Sequence, residues 1–144
     1  MTSIGFDEQE LISRAFQGGK FRVGAALVST ENEIFGGANV ENASYGGAIC
    51  AERTALVKAV SEGHKRFQAL AVVSDLDEPI TPCGIFHQVG LHSCYSSRVT
   101  LPREFFSPET PILLVSQAHP ANNASETSYK GPLIKRTNIS VLLP

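Results

Sequence analysis

The chain has 144 residues, of which 42% are hydrophobic, 18% charged and 8% aromatic; this is the balance of one globular domain, far from the low-apolar, high-charge profile of disordered chains. Twelve basic residues stand against fourteen acidic ones, a formal net charge of −2, so there is no global positive field to hold a polyanion and nucleic acid is not an expected partner. The longest apolar runs, Val23 to Val28 and Ala69 to Val73, fall far short of the ~20 residues a membrane helix needs, so no bilayer span is expected. Asp7, Glu8 and Glu10 occupy the start, where a signal peptide would carry basic residues and then an apolar stretch, which predicts a cytoplasmic protein.

In chain order, residues 7 to 17 carry acids in the first turn of a predicted short helix, with Gly18 and Gly19 after it. Phe21 to Ser29 and Glu33 to Val40 are extended runs separated by turn-forming residues, which predicts a hairpin. From Ile49 to Glu62, Ala51, Ala55, Leu56, Ala59 and Val60 recur at helical spacing, and Gly63 supplies the stop. Phe67 to Ser74 is a continuous apolar run of the kind buried on both faces of a sheet. Asp75 to Pro82 is loop-like, and Pro82 is placed to precede a helix starting at Cys83. Most of 89 to 110 has no period and reads as loop, Pro111 to Ser116 as a strand, and Asn138 to Leu143 as the last strand. Strands alternating with helices after a hairpin predict an α/β domain spanning 1–144, with a mixed sheet covered by helices.

Three cysteines, Cys50, Cys83 and Cys94, are an odd number in a chain too long to need disulfides. Cys50 and Cys83 each stand where a predicted helix begins, and a helix N-terminus favours the thiolate, the form that binds metal. Glu52 follows Cys50 by two residues inside the first turn, where a carboxylate can sit beside a metal held by Cys50 and move protons without ligating it. Zinc deaminases carry His or Cys, then x-Glu, followed by Pro-Cys-x-x-Cys; this chain has Cys50-Ala51-Glu52 and, after room for a helix and a strand, Pro82-Cys83-Gly84.

At these residues the sequence resembles the cytidine deaminases, of the small type with Cys as first ligand. The likeness extends through Phe21 to Leu27, Asn39 to Gly46, Ile49 to Ala55 and Lys58 to Gly63, and more weakly through 111 to 116 and 139 to 144. It implies a three-layer α/β/α sandwich with a mixed sheet of about five strands, a homotetramer, and zinc-dependent deamination of cytidine and deoxycytidine in pyrimidine salvage. It implies Zn2+ ligands at Cys50 and Cys83, a proton shuttle at Glu52, and Arg53 donating to the ligand sulfurs. It also implies ribose contacts from Asn39 and Glu41, Phe21 against the pyrimidine, and Tyr45 reaching in from a neighbouring subunit. An amide and a carboxylate together offer a diol both donor and acceptor.

The pattern departs from the family at one ligand. Phe86 stands three residues after Cys83, where a second Cys is expected, and a benzene ring cannot ligate zinc, which normally takes three protein ligands in a catalytic site. His87, four residues after Cys83 and on nearly the same helical face, and Cys94 are the two candidates for the third place; the other alternative is no third ligand, with Cys50 and Cys83 alone binding the metal much more weakly. The lead-in to Phe21 is short, 89 to 104 reads as an irregular insertion, and the sequence reads Leu142-Leu143-Pro144 where the resemblance implies a continuing tail. Two further readings therefore accompany the first: a deaminase-fold protein that binds nucleosides or joins tetramers without turnover, and a deaminase of a modified cytosine nucleoside.

Overall fold

The computed structural model describes residues 5–18, 23–40, 48–81, 105–120 and 130–142. Five strands form one sheet in the order β2-β1-β3-β4-β5: β1 Val23–Ser29, β2 Ile34–Ala38, β3 Phe67–Ser74, β4 Pro111–Val115 and β5 Ile134–Asn138. β1 pairs antiparallel with both β2 and β3, β3 and β4 are parallel, and β4 and β5 antiparallel. The expected mixed sheet of about five strands is what the chain builds. Its strand directions place the C-terminal ends of β2, β3 and β4 at one end of the sheet.

The three central strands are apolar because both their faces are covered. Ala25, Leu27, Leu70, Val72, Ile112 and Leu114 point into one core and Ala26, Val28, Ala69, Ala71, Val73, Leu113 and Val115 into the other, the period-2 alternation of strands buried on both sides. Helix α1, Glu8–Gly18, closes the second core with Leu11, Ile12 and Ala15; helix α2, Ala51–Ser61, closes the first with Ala51, Ala55, Leu56 and Ala59. Asp7 caps α1 by accepting the N–H groups of Gln9 and Glu10 at 2.9 and 3.3 Å, which satisfies donors a helix start leaves open. The layers are therefore helix, sheet, helix.

Helix α2 approaches the sheet closely at Gly37. A Cβ at that position would stand 2.6 Å from both the Ala51 carbonyl oxygen and the Ala55 amide nitrogen, so only glycine permits this spacing. The helix ends on Gly63, at φ +99°, with the Gly63 N–H donating to the Val60 carbonyl and the His64 N–H to that of Ala59. This is the paired bonding of a Schellman stop.

One sequence expectation fails. The last strand is Ile134–Asn138, and Ile139–Leu142 forms a short helix, α3. β5 is an edge strand in which Lys135 and Arg136 are exposed, so it lacks the apolar run by which the inner strands announce themselves. The apolar residues after it turn away because the Asn138 side chain accepts the Val141 N–H at 3.0 Å and the Ser140 hydroxyl at 2.7 Å, the work of a helix cap. Arg136 on β5 also donates to the Glu8 carboxylate on α1.

His119, just after β4, is buried and its ring stacks on that of Phe16 in α1. Burial holds its pKa below the usual imidazole value of about 6.5, against the opposing pull of the Glu8 carboxylate. The unfolded chain thus takes up a proton at higher pH than the folded one. Stability is full above about pH 6.5 and falls as pH drops through that value toward the lower, folded one. Urea midpoints at pH ~7.5 and ~5.5 should therefore differ more for the wild type than for His119→Gln; equal differences would contradict this.

Candidate functional site

The site assembles where α2 begins. Val40 and Ile49 form an isolated antiparallel bridge, each N–H donating to the other's carbonyl at 2.9 and 3.0 Å. Asn39 and Cys50 therefore flank the bridged pair on the same side, and the segment between the hairpin and α2 is pinned where it leaves β2. Asn39 is 8% exposed and doubly tied to the start of β1: its Oδ1 accepts the Val23 N–H at 3.1 Å, and its own N–H donates to the Val23 carbonyl at 3.3 Å. These bonds fix the orientation of the amide.

Cys50 occupies the N-cap of α2 with an extended backbone, φ −76° and ψ 159°. Ser, Thr, Asp or Asn usually stands there and accepts a first-turn N–H; Cys50 makes no such capping bond through its side chain. Its carbonyl does accept from Thr54, from the amide at 2.9 Å and the hydroxyl at 3.0 Å, which anchors the turn. The thiol is half-buried at the N-terminal end of the helix. Glu52 is 2% exposed, an unusual place for a carboxylate, while Arg53 beside it is half-buried.

Beyond α2, the same end of the sheet is closed by the loop after β3. Gln117 donates through its side chain to Asp77 at 2.8 Å and through its backbone to the Leu76 carbonyl at 3.1 Å, joining the C-terminal ends of β3 and β4. Open α/β sheets bind their ligands at such carboxyl ends. Asn39, Cys50, Glu52 and Arg53 are thus brought together by β2 and the first turn of α2. The other sequence candidates, Phe21, Glu41, Tyr45, Cys83 and His87, lie outside the described residues, as do Phe86 and Cys94.

The donor chemistry suits zinc as far as the described residues reach: a half-buried thiol at a helix N-terminus, with a buried carboxylate two residues on that can carry a proton. The set of three ligating side chains found among the described residues is a different one. Glu31, Glu33 and His64 gather at the C-terminal end of α2, opposite Cys50 and about 16 Å along an 11-residue helix. Sequence reasoning missed this cluster, since Glu31 and His64 meet only through the packing of the hairpin turn on the helix stop.

Comparison with known proteins bears on the whole of this end of the molecule. Residues 8–100 match the family described as "Cytidine and deoxycytidylate deaminase zinc-binding region". A Dictyostelium discoideum protein named "Probable cytidine deaminase" is 60% identical over 72 residues, covering 49% of this chain and 49% of that protein. A cytidine deaminase of Halalkalibacterium halodurans is 47% identical over 96 residues, covering 61% of this chain and 73% of the relative. The chain thus spans between about half and three quarters of these relatives' lengths. The crystal structure of cytidine deaminase from Burkholderia pseudomallei superposes with a TM-score of 0.69 at 34% identity, covering 96% of this chain and 97% of that one.

Proposed function

Because the chain belongs to the family of the cytidine and deoxycytidylate deaminase zinc-binding region, we propose that it hydrolytically deaminates cytidine and deoxycytidine to uridine and deoxyuridine, in the cytosol and as a step of pyrimidine salvage. The observation that carries the reading is the placement of Cys50 at the N-cap of α2 with Glu52 buried beside it. Zinc would be held by Cys50 and Cys83 with His87 or Cys94 as third ligand, and when bound it supplies a water acidic enough to ionise near neutral pH.

The remaining chemistry belongs to the chain. Glu52 would accept a proton from the attacking water and give it to ring N3, then take the proton of the hydroxyl so added and give it to the amino group, which departs as ammonia, a role suited to a carboxylate shielded from bulk water. Arg53 offers guanidinium N–H groups to the ligand sulfurs and offsets their charge. β2 and β3 flank β1, so their ends stand roughly 10 Å apart, a span that suits a single nucleoside. Asn39 and Glu41 would hold the ribose at one side of it and Phe21 would lie against the base, with Tyr45 contributed across a subunit contact of a homotetramer.

Ammonia release from cytidine, compared with release from cytidine 5′-monophosphate, tests this assignment. Turnover of the nucleoside and little of the nucleotide is expected, since the dianionic phosphate finds no basic residue among the ribose and base contacts Asn39, Glu41, Phe21 and Tyr45. Preference for the nucleotide would contradict it. One observation favours a second reading, a nucleoside-binding or tetramer-joining protein without turnover: Phe86 occupies the place of an expected ligand. Under that reading Phe86→Cys confers both zinc and activity on an inactive wild type; under the first, the wild type is active already.

A further inference from the structure

At the end of the molecule opposite Cys50, His64 is 9% exposed and lies between two acidic side chains. Its Nδ1 stands 3.0 Å from Glu31 Oε2 and its Nε2 3.3 Å from Glu33 Oε2. Nδ1 is buried and makes no hydrogen bond, despite the nearness of the Glu31 carboxylate. The Glu31 carboxylate thus stands beside Nδ1 without bonding to it, and an imidazole nitrogen with its lone pair free is a metal donor. A metal ion shared by the nitrogen and the carboxylate would engage both.

The 3.0 Å between Nδ1 and Glu31 Oε2 suits such a cation. Two ligands each ~2.1 Å from a metal, at angles between square and tetrahedral, are roughly 3.0–3.4 Å apart, and one ligating atom from each of Glu31, Glu33 and His64 lies within 4.8 Å of the others. The ring is held from beneath by Phe35, with centroids 4.8 Å apart, and its backbone by the Schellman stop. The carboxylates are largely exposed, at 70% and 61% of their side chains, so they are free to turn onto an ion. The turn that carries them is fixed: the Ser29 hydroxyl accepts the Glu31 and Glu33 N–H groups at 3.3 and 3.1 Å, and Gln68 donates to the Ser29 carbonyl at 2.8 Å.

We propose that Glu31, Glu33 and His64 form a second divalent-cation site that clips the β1–β2 turn to the end of α2. One imidazole and two carboxylates, with no sulfur, favour a first-row ion that accepts nitrogen and oxygen ligands. The site is independent of the deaminase reading, because it shares no residue with it and lies at the other end of α2.

Manganese(II) alone is the probe, since a hard ion competes poorly for thiolates; its binding to the full chain is followed by loss of the free-ion electron paramagnetic resonance signal. About one ion per chain should bind below ~1 mM, the weak end of known protein sites. The paired substitution Glu31→Gln with Glu33→Gln, on exposed side chains that the fold does not need, should weaken binding by at least ~10-fold, while Cys50→Ser leaves it unchanged. Bound manganese should also raise the melting temperature of the wild type and not of the Gln pair. Undiminished affinity in the Gln pair, loss of binding in Cys50→Ser, or no binding by the wild type at ~1 mM would each overturn the proposal.

Discussion

Glu52→Gln is expected to reduce cytidine turnover by ~10²- to 10⁴-fold, the usual contribution of a general acid–base group, equivalent to about 2.7–5.4 kcal/mol of barrier. The amide keeps the volume and the polar edge of a side chain that is 2% exposed in the first turn of α2, so packing is preserved while the capacity to accept and return a proton is lost. Zinc content and melting temperature should stay near wild type, which separates loss of proton transfer from loss of the site. Steady-state rates on cytidine, with zinc measured on the same sample, check the result. Turnover at the wild-type rate would remove Glu52 from the chemistry.

Gly37→Ala should be the most damaging small change in the sheet. The added methyl would lie 2.6 Å from Ala51 O and Ala55 N and 3.1 Å from Ala55 Cα. All three are helix backbone, which cannot rotate aside as a side chain would. Helix α2 must therefore retreat from β2 by roughly 1 Å to restore van der Waals spacing. Overpacking of this kind costs ~1–3 kcal/mol, a fall in melting temperature of roughly 4–12 °C for a chain this long. The displacement falls at the turn that carries Cys50 and Glu52, and misplacing a reacting group by ~1 Å can cost ~10²-fold in rate. Activity should therefore drop further than stability alone explains. Calorimetry and kinetics on Gly37→Ala together test this, and a variant with wild-type melting temperature and rate would show that α2 is not held at this spacing.

The parts of the fold that were legible in the sequence are those where burial leaves a strong pattern. β1, β3 and β4 stand out because both their faces are covered, and α2 because Ala51, Ala55, Leu56 and Ala59 must meet the sheet and Gly63 must turn the chain with positive φ. β5 was illegible for the opposite reason: at the sheet edge Lys135 and Arg136 face solvent, and the apolar residues after Asn138 imitate a strand until the cap at Asn138 is seen. In the site, the spacing Cys-x-Glu is local, so Cys50 and Glu52 could be read directly from the chain. The tie between Asn39 and Val23 spans 16 positions and the meeting of Glu31 with His64 depends on how a hairpin turn packs on a helix stop, and neither has a local signature.

Zinc per chain by elemental analysis and conversion of cytidine to uridine by absorbance, measured on one preparation, test the central claim most directly. At least about one zinc per chain is expected, with turnover that is lost on chelation and recovered when zinc is returned, and Cys50→Ser should lose that turnover together with about one zinc per chain. A folded, zinc-saturated chain that converts neither cytidine nor deoxycytidine would contradict it.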